Sequence, residues 1–126
     1  MATRNHIPDG WRAVTPRIVV EDAEGLVRFV KQVFGAKGEF LPERPTELSI
    51  DDSLVMVSTP IEREVMPGFL YVYVEDTDAT FERAKAKGAT VIEEPGDMPY
   101  GDRRAMVRDA WGNLWQIATH GGQFTP

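Results

Sequence analysis

Apolar positions along this chain shift from strand spacing to helix spacing and back, and they do so twice. Ile18-Val19-Val20 is a β-branched run, and after Glu21-Asp22 the residues Leu26, Val27, Val30, Val33 and Phe34 recur at the spacing of one buried helical stripe. The second block runs from Phe69 to Val74, then Glu75-Asp76, then a helical pattern to Lys87. Laid over each other, Val20-Glu21-Asp22 falls on Val74-Glu75-Asp76 and Glu24 on Asp78, a register of 54 residues. In each block an Asp stands where a helix needs a cap and a Gly, Gly35 or Gly88, stands where it should stop. A self-similar period in so short a chain predicts two copies of one supersecondary unit.

The tails of the blocks match as well. Leu48 to Val57, broken by Asp51-Asp52-Ser53, and Met106 to Ile117, broken by Asp109 to Asn113, each read as two β-forming runs joined by turn chemistry. In order, the pattern predicts a strand over Arg12 to Val20, with Pro16 marking an edge or bulge, and a helix over Ala23 to Phe34. A short strand at Lys37 to Phe40, a loop to Pro45 and a hairpin over Thr46 to Ser58 follow, and Thr59 to Gly68 links the halves. The second unit reads as a strand from Phe69 to Val74, a helix from Asp78 to Lys87, a strand at Thr90 to Glu93, a loop over Glu94 to Asp102 and a hairpin over Arg103 to Thr119. The tail Gly121 to Pro126 reads as frayed, and Pro8-Asp9-Gly10-Trp11 as a turn followed by an anchoring aromatic. The result is one α+β domain over 1–126 built of two tandem βαβββ units, the first about 12–60 and the second about 67–120.

Composition narrows the function. At 126 residues with 42% hydrophobic and 27% charged residues, the chain is sized for one globular core. No apolar run approaches the length of a membrane span and the first residues lack the apolar core of a signal peptide, so the expectation is a cytoplasmic protein with no membrane partner. The absence of cysteine excludes disulfides, thiolate metal sites and cysteine nucleophiles. A formal charge of -6 argues against nucleic acid as a partner, which calls for clustered Lys and Arg. There is no nucleophile elbow, phosphate loop or dinucleotide fingerprint, and Ser49, Ser53 and Ser58 have no neighbouring histidine in sequence.

Specific stretches carry a family likeness. Val14-Thr15-Pro16 leading to Val19-Val20-Glu21-Asp22, Val33-Phe34-Gly35-Ala36, Tyr73 to Ala79, Gly101-Asp102-Arg103, and Gly112-Asn113-Leu114-Trp115-Gln116-Ile117 together resemble the vicinal oxygen chelate superfamily. That group includes glyoxalases, extradiol dioxygenases and bleomycin resistance proteins, and the likeness is strongest to its PhnB-like branch. It implies that the units curl into an open, cup-shaped mixed β-sheet with helices on the outer face, that small molecules or a metal bind inside, and that a second copy braces the cup in a homodimer.

In metal-using members of the resembled family, one divalent ion is held by the first residue of each unit's opening strand and one residue of each closing strand. Here those positions fall on Thr15, Met56, Phe69 and Gln116. A hydroxyl, a thioether, a phenyl ring and a neutral amide are a poor set for an ion that wants imidazole or carboxylate, so no metal and no cofactor is expected. His6 and His120 read as exposed histidines without function. Glu47 is the one carboxylate placed to act as a base if it faces the cup; a position on the solvated outer face is the competing reading.

Side chains two apart on a strand share a face. Phe69 therefore brings Tyr71 and Tyr73, Thr15 brings Arg17, and Gln116 faces Met106, and less directly Arg104, across the last turn. Thr15, Arg17, Met56, Phe69, Tyr71, Tyr73, Met106 and Gln116 thus form the expected lining for a flat or apolar organic ligand. The bland alternative is that such residues are plain core. Trp111 and Trp115 have the opposite parity and are expected to pack outward, Trp115 against a helix, and Tyr100 stands in a loop placed to border the cup or to serve as an ordinary turn. The sequence favours a metal-free protein that sequesters a small organic molecule. The second reading is a lyase, isomerase or dioxygenase with atypical metal ligands or with Glu47 and Arg17 in acid and base roles.

Overall fold

In the computed structural model, which describes residues 6–61 and 63–121, the duplicated pattern becomes two duplicated sheets. Asp22 caps the first helix, its side chain accepting from Gly25 N at 3.0 Å, and Gly35 ends it in the left-handed conformation, fixing α1 at Ala23–Phe34. Asp76 caps the second in the same way through Ala79 N, giving α2 at Thr77–Ala86. The strands are β1 Arg17–Val19, β2 Thr46–Ile50, β3 Ser53–Ser58, β4 Phe69–Tyr73, β5 Thr90–Asp97, β6 Asp102–Arg108 and β7 Leu114–His120. They form a three-stranded sheet of order β1-β3-β2 and a four-stranded sheet of order β4-β7-β6-β5, both mixed, with β1 parallel to β3 and β4 parallel to β7.

The two units superpose in topology as well as in sequence. Arg17 pairs with Met56 and Met56 with Glu47, while in the second unit Tyr71, 54 residues after Arg17, pairs with Gln116 and Gln116 with Met106. The α+β fold with open mixed sheets is as expected: among the described residues each unit contributes its own hydrogen-bonded sheet, and neither closes into a barrel.

Three element boundaries differ from expectation. Arg12 to Pro16 stays outside the ladder, because Pro16 has no N–H to give; its carbonyl accepts from Met56 N at 2.9 Å, but pairing begins only at Arg17. The short strand at Lys37 to Phe40 shrinks to a single bridge between Lys37 and Ser49, so the first unit lacks the full second strand that β5 provides in the second unit. Gly38 breaks it, with φ at +143° and its α-carbon pressed so close to the backbone oxygen of Glu47 that a Cβ there would lie 2.4 Å away. Conversely, β5 continues through Pro95 and Gly96 to Asp97, where a loop was expected. It is an edge strand whose register with β6 slips twice, which is where a residue without an N–H is tolerated.

The core lies between the helices and the faces of the sheets that turn toward them. Trp115, wholly buried, packs on Phe34 of α1 with ring centroids 5.0 Å apart, and Trp111 meets Phe29 edge-on at 6.0 Å. The β6–β7 turn is held by a buried carboxylate: Asp109 accepts from the backbone N–H groups of Trp111 and Asn113, from Asn113 Nδ2, and from Trp115 Nε1 at 2.8 Å. Asn113 in turn accepts from Gly68 N at 2.7 Å, tying that turn to the start of β4. No helix among the described residues is long and apolar enough to cross a membrane.

Candidate functional site

With one face of each sheet spent on the core, the opposite face carries the polar and aromatic side chains. Residues directly opposite in a ladder point the same way, so the register reads out this face in rows. On the second unit the rows are Phe69–Leu114–Arg108, then Tyr71–Gln116–Met106–Glu93, then Tyr73–Ala118–Arg104–Gly96, and at the end His120–Asp102. On the first unit the row Glu47–Met56–Arg17 corresponds to Met106–Gln116–Tyr71. Glu47 therefore shares the face of Met56 and Arg17. Arg17 bonds Ser58 Oγ through its Nε at 3.2 Å.

The aromatic row along β4 is open to solvent, Phe69 being 64% exposed and Tyr73 56%. A groove of about 540 Å3 lies beside it, with Tyr71 and Tyr73 in one wall and Val14 and Leu54 in the other. Thr15, Arg17, Met56, Phe69, Met106 and Gln116 lie outside that groove, so of the predicted lining only Tyr71 and Tyr73 border it.

The rows also gather residues that sequence reasoning passed over. Asp102 is 2% exposed, and its Oδ2 accepts the phenol protons of Tyr71 at 2.5 Å and Tyr73 at 2.9 Å, while His120 Nδ1 lies 2.9 Å from Oδ1. The two phenols lie across β7 to reach β6, two strand spacings or roughly 10 Å away, and small Ala118 sits between them in the ladder. Directionality follows from proton counting. The single proton of Tyr71 goes to Asp102, so Tyr100 must donate to Tyr71 across 3.2 Å, and Arg104 Nη1, which can only donate, supplies Tyr100 at 3.1 Å. Arg104 Nη2 pairs with Glu93 Oε2 at 3.1 Å. A continuous donor chain thus runs from the Arg104 cation to the Asp102 anion.

Burial by itself would push the Asp102 carboxyl up, but the bonds from Tyr71, His120 and Tyr73 outweigh it and hold it below the usual carboxylate value. The same contacts raise the phenols, Tyr71 through burial first and then the bond to Asp102, Tyr73 chiefly through that bond. Asp102 is therefore a fixed anion. Two buried polar atoms at this end, Arg104 Nε and Glu93 Oε1, have no partner among the described residues.

Two sequence expectations change here. His120 was expected to be a free histidine at a frayed end; it is the last residue of β7, bonded to Asp102. Tyr100, expected as a lid or a plain turn, sits in the β5–β6 turn closed by Met98 and links Arg104 to Tyr71. His6 is exposed, as the sequence suggested.

The four positions that the resemblance assigns to a metal divide between the two units, Thr15 ahead of β1 and Met56 on β3 in the first, Phe69 on β4 and Gln116 on β7 in the second. Met56 pairs with Arg17 and Gln116 with Tyr71, so Thr15 and Phe69 each stand two residues before the partner of the closing-strand position in their own unit. Their donor chemistry, a hydroxyl, a thioether, a phenyl ring and an amide, does not fit a divalent ion. Among the described residues no group of three or more His, Asp or Glu side chains is arranged to hold one elsewhere.

Comparison with known proteins decides the family. The description "Glyoxalase/Bleomycin resistance protein/Dioxygenase superfamily" matches residues 12–117. The chain belongs to that superfamily. Among solved structures, TioX from Micromonospora sp. ML1 is 26% identical with a TM-score of 0.73, over 86% of this chain and 98% of that one. A glyoxalase/bleomycin resistance protein/dioxygenase family enzyme from Burkholderia phytofirmans PsJN shares the fold at 20% identity and a TM-score of 0.71, over 84% and 96% of the two chains. The uncharacterized protein Mb0911c of Mycobacterium bovis is 29% identical over 83% of this chain and 81% of its own length. The tandem units and the paired rows at Met56 and Gln116 are thus this superfamily member's version of a shared architecture.

Proposed function

We propose that this glyoxalase/bleomycin resistance superfamily member, of the PhnB-like branch, binds a small, flat organic molecule on its concave faces without the divalent ion used by the metal enzymes, in a sequestering role. The observation that carries this reading is the row of Phe69, Tyr71 and Tyr73, three rings standing exposed side by side where a soluble protein ordinarily covers aromatic surface. Gln116 and Met106 share the row of Tyr71 and add one amide and one adaptable thioether, a lining suited to a planar ligand of mixed polarity. The donor set at Thr15, Met56, Phe69 and Gln116 supports the metal-free part. The open groove and the bare β4 rings support a second copy of the chain bracing the cup.

A thermal-shift panel of planar aromatic compounds tests the reading. It predicts a saturable rise in Tm with one compound class and no consumption of that compound on prolonged incubation. No shift with any class, or turnover of the compound that shifts, contradicts it.

A further inference from the structure

The network around Asp102 contains more than a binding surface needs. Asp102 and His120 stand directly opposite each other in the β6–β7 ladder, which fixes the carboxylate and the imidazole on one face at adjoining positions. Asp102 is ionised and can only accept, so the 2.9 Å contact with Nδ1 of His120 places the ring proton on Nδ1. In the neutral imidazole this leaves Nε2 as a bare lone pair. Nothing among the described residues hydrogen-bonds to Nε2, and the His120 side chain is 54% exposed, whereas Asp102 beneath it is closed off by Tyr71 and Tyr73. A half-exposed imidazole held through one nitrogen by a buried carboxylate, its other nitrogen unbonded among the described residues, is the arrangement of an oriented base.

We propose that His120 is a general base on the concave face of the second unit, positioned by Asp102 to take a proton from a flat, weakly acidic ligand, such as a phenol or a carbon acid beside a carbonyl, lying against Tyr71 and Tyr73. The inference rests on the reading that this face holds a planar molecule. The step is a proton transfer: the ligand's O–H or C–H bond breaks, an N–H bond forms at Nε2, the electron pair stays on the ligand, and the imidazolium faces the Asp102 carboxylate. The ionisable groups around His120 suit that step. Asp102 on β6 stabilises the imidazolium, Tyr71 and Tyr73 on β4 are already committed to Asp102, Arg104 is held by Glu93 and Tyr100, and β7 adds only Leu114, Gln116 and Ala118 to the same face. Asp102 acts through His120 and is a positioning residue.

Two measurements test this. Nitrogen NMR of the histidine rings reads the tautomer without any ligand: nitrogen shifts should place the His120 proton on Nδ1, and Asp102→Asn should weaken that preference. A His120 ring protonated on Nε2 in the unmodified protein overturns the inference. The second uses p-nitrophenol, a flat weak acid whose anion is yellow. At a pH below the acid's own ionisation, wild-type protein should increase the nitrophenolate colour severalfold while the β4 amide signals shift. His120→Gln should lose the colour and keep the amide shifts, Asp102→Asn should reduce it, and His6→Gln should match wild type. Amide shifts with no colour in wild type, or full colour in His120→Gln, overturn the base and leave the binding reading standing. Absence of amide shifts for any planar acid or its neutral ester overturns both.

Discussion

The phenol of Tyr71 donates to Asp102 Oδ2 at 2.5 Å from the far side of an intervening strand, and Tyr73 joins it on the same oxygen at 2.9 Å. One buried carboxylate thereby fixes two of the three rings proposed to receive the ligand. Its consequences appear at both ends of the pH scale. Tyr71 and Tyr73 have raised pKa values, so their share of stability is complete below about pH 10 and is lost as pH climbs from there toward the raised values. Asp102 is lowered, so its share is complete above about pH 4 and is lost as pH falls toward the lowered value. Absorbance titration of tyrosinate should show Tyr71 and Tyr73 ionising above the ordinary range, with Tyr71→Phe and Tyr73→Phe identifying each phase. Asp102→Asn should bring those phases down. Ordinary titration of both in the unmodified protein contradicts the network.

Phe69→Ala separates binding from folding. The ring is 64% exposed at the start of β4, so its loss should cost less than about 1 kcal/mol in a urea titration. Binding of a planar ligand should weaken by roughly tenfold or more if the ring carries a contact worth ~1.4 kcal/mol or better. Equal affinity in the variant would show that the ligand face has been misplaced.

Asp109→Ala should be among the most damaging single changes. It leaves Trp115 Nε1, Asn113 Nδ2 and two backbone N–H groups without their acceptor inside the core, at a cost of about 3 kcal/mol or more. Chemical denaturation followed by Trp fluorescence measures it directly. A loss under 1 kcal/mol would mean that the turn repairs itself with water.

Gly38→Ala tests why the first unit is a strand short. The left-handed-side φ and the approach to the Glu47 carbonyl leave no room for a Cβ, so the variant should be destabilised by roughly 1–3 kcal/mol. Neutral substitution would show that the 37–40 segment can move off β2 freely.

Much of this fold is legible in the sequence because its signals are local. Asp22 and Asp76 cap helices within their own turn, and the 54-residue register is visible without coordinates. The errors came where the deciding partner is remote. Pro16 shortens β1 because the ladder to β3 needs its missing N–H, and Pro95 fails to end β5 because the strand lies at an edge. Glu47 had two possible faces by parity alone, and only its position opposite Met56 decides between them. The Asp102 network was within reach: the count across the last turn that sets Met106 opposite Gln116, carried two pairs further, sets Asp102 opposite His120. What no count supplies is that Tyr71 and Tyr73 reach over Ala118, since that depends on the shape of the sheet rather than on its register.

The central claim is the proposed metal-free reading, in which Thr15, Met56, Phe69 and Gln116, at the positions that the resemblance assigns to a metal, form a poor donor set for a divalent ion. Elemental analysis of the natively purified protein tests this metal-free reading most directly. The account predicts less than about one-tenth of an equivalent of Zn, Ni, Mn, Fe or Co per chain, because no side chain at those four positions offers the imidazole or carboxylate such an ion wants. One equivalent of any of them, lost on substitution of Gln116 or Thr15, would contradict it.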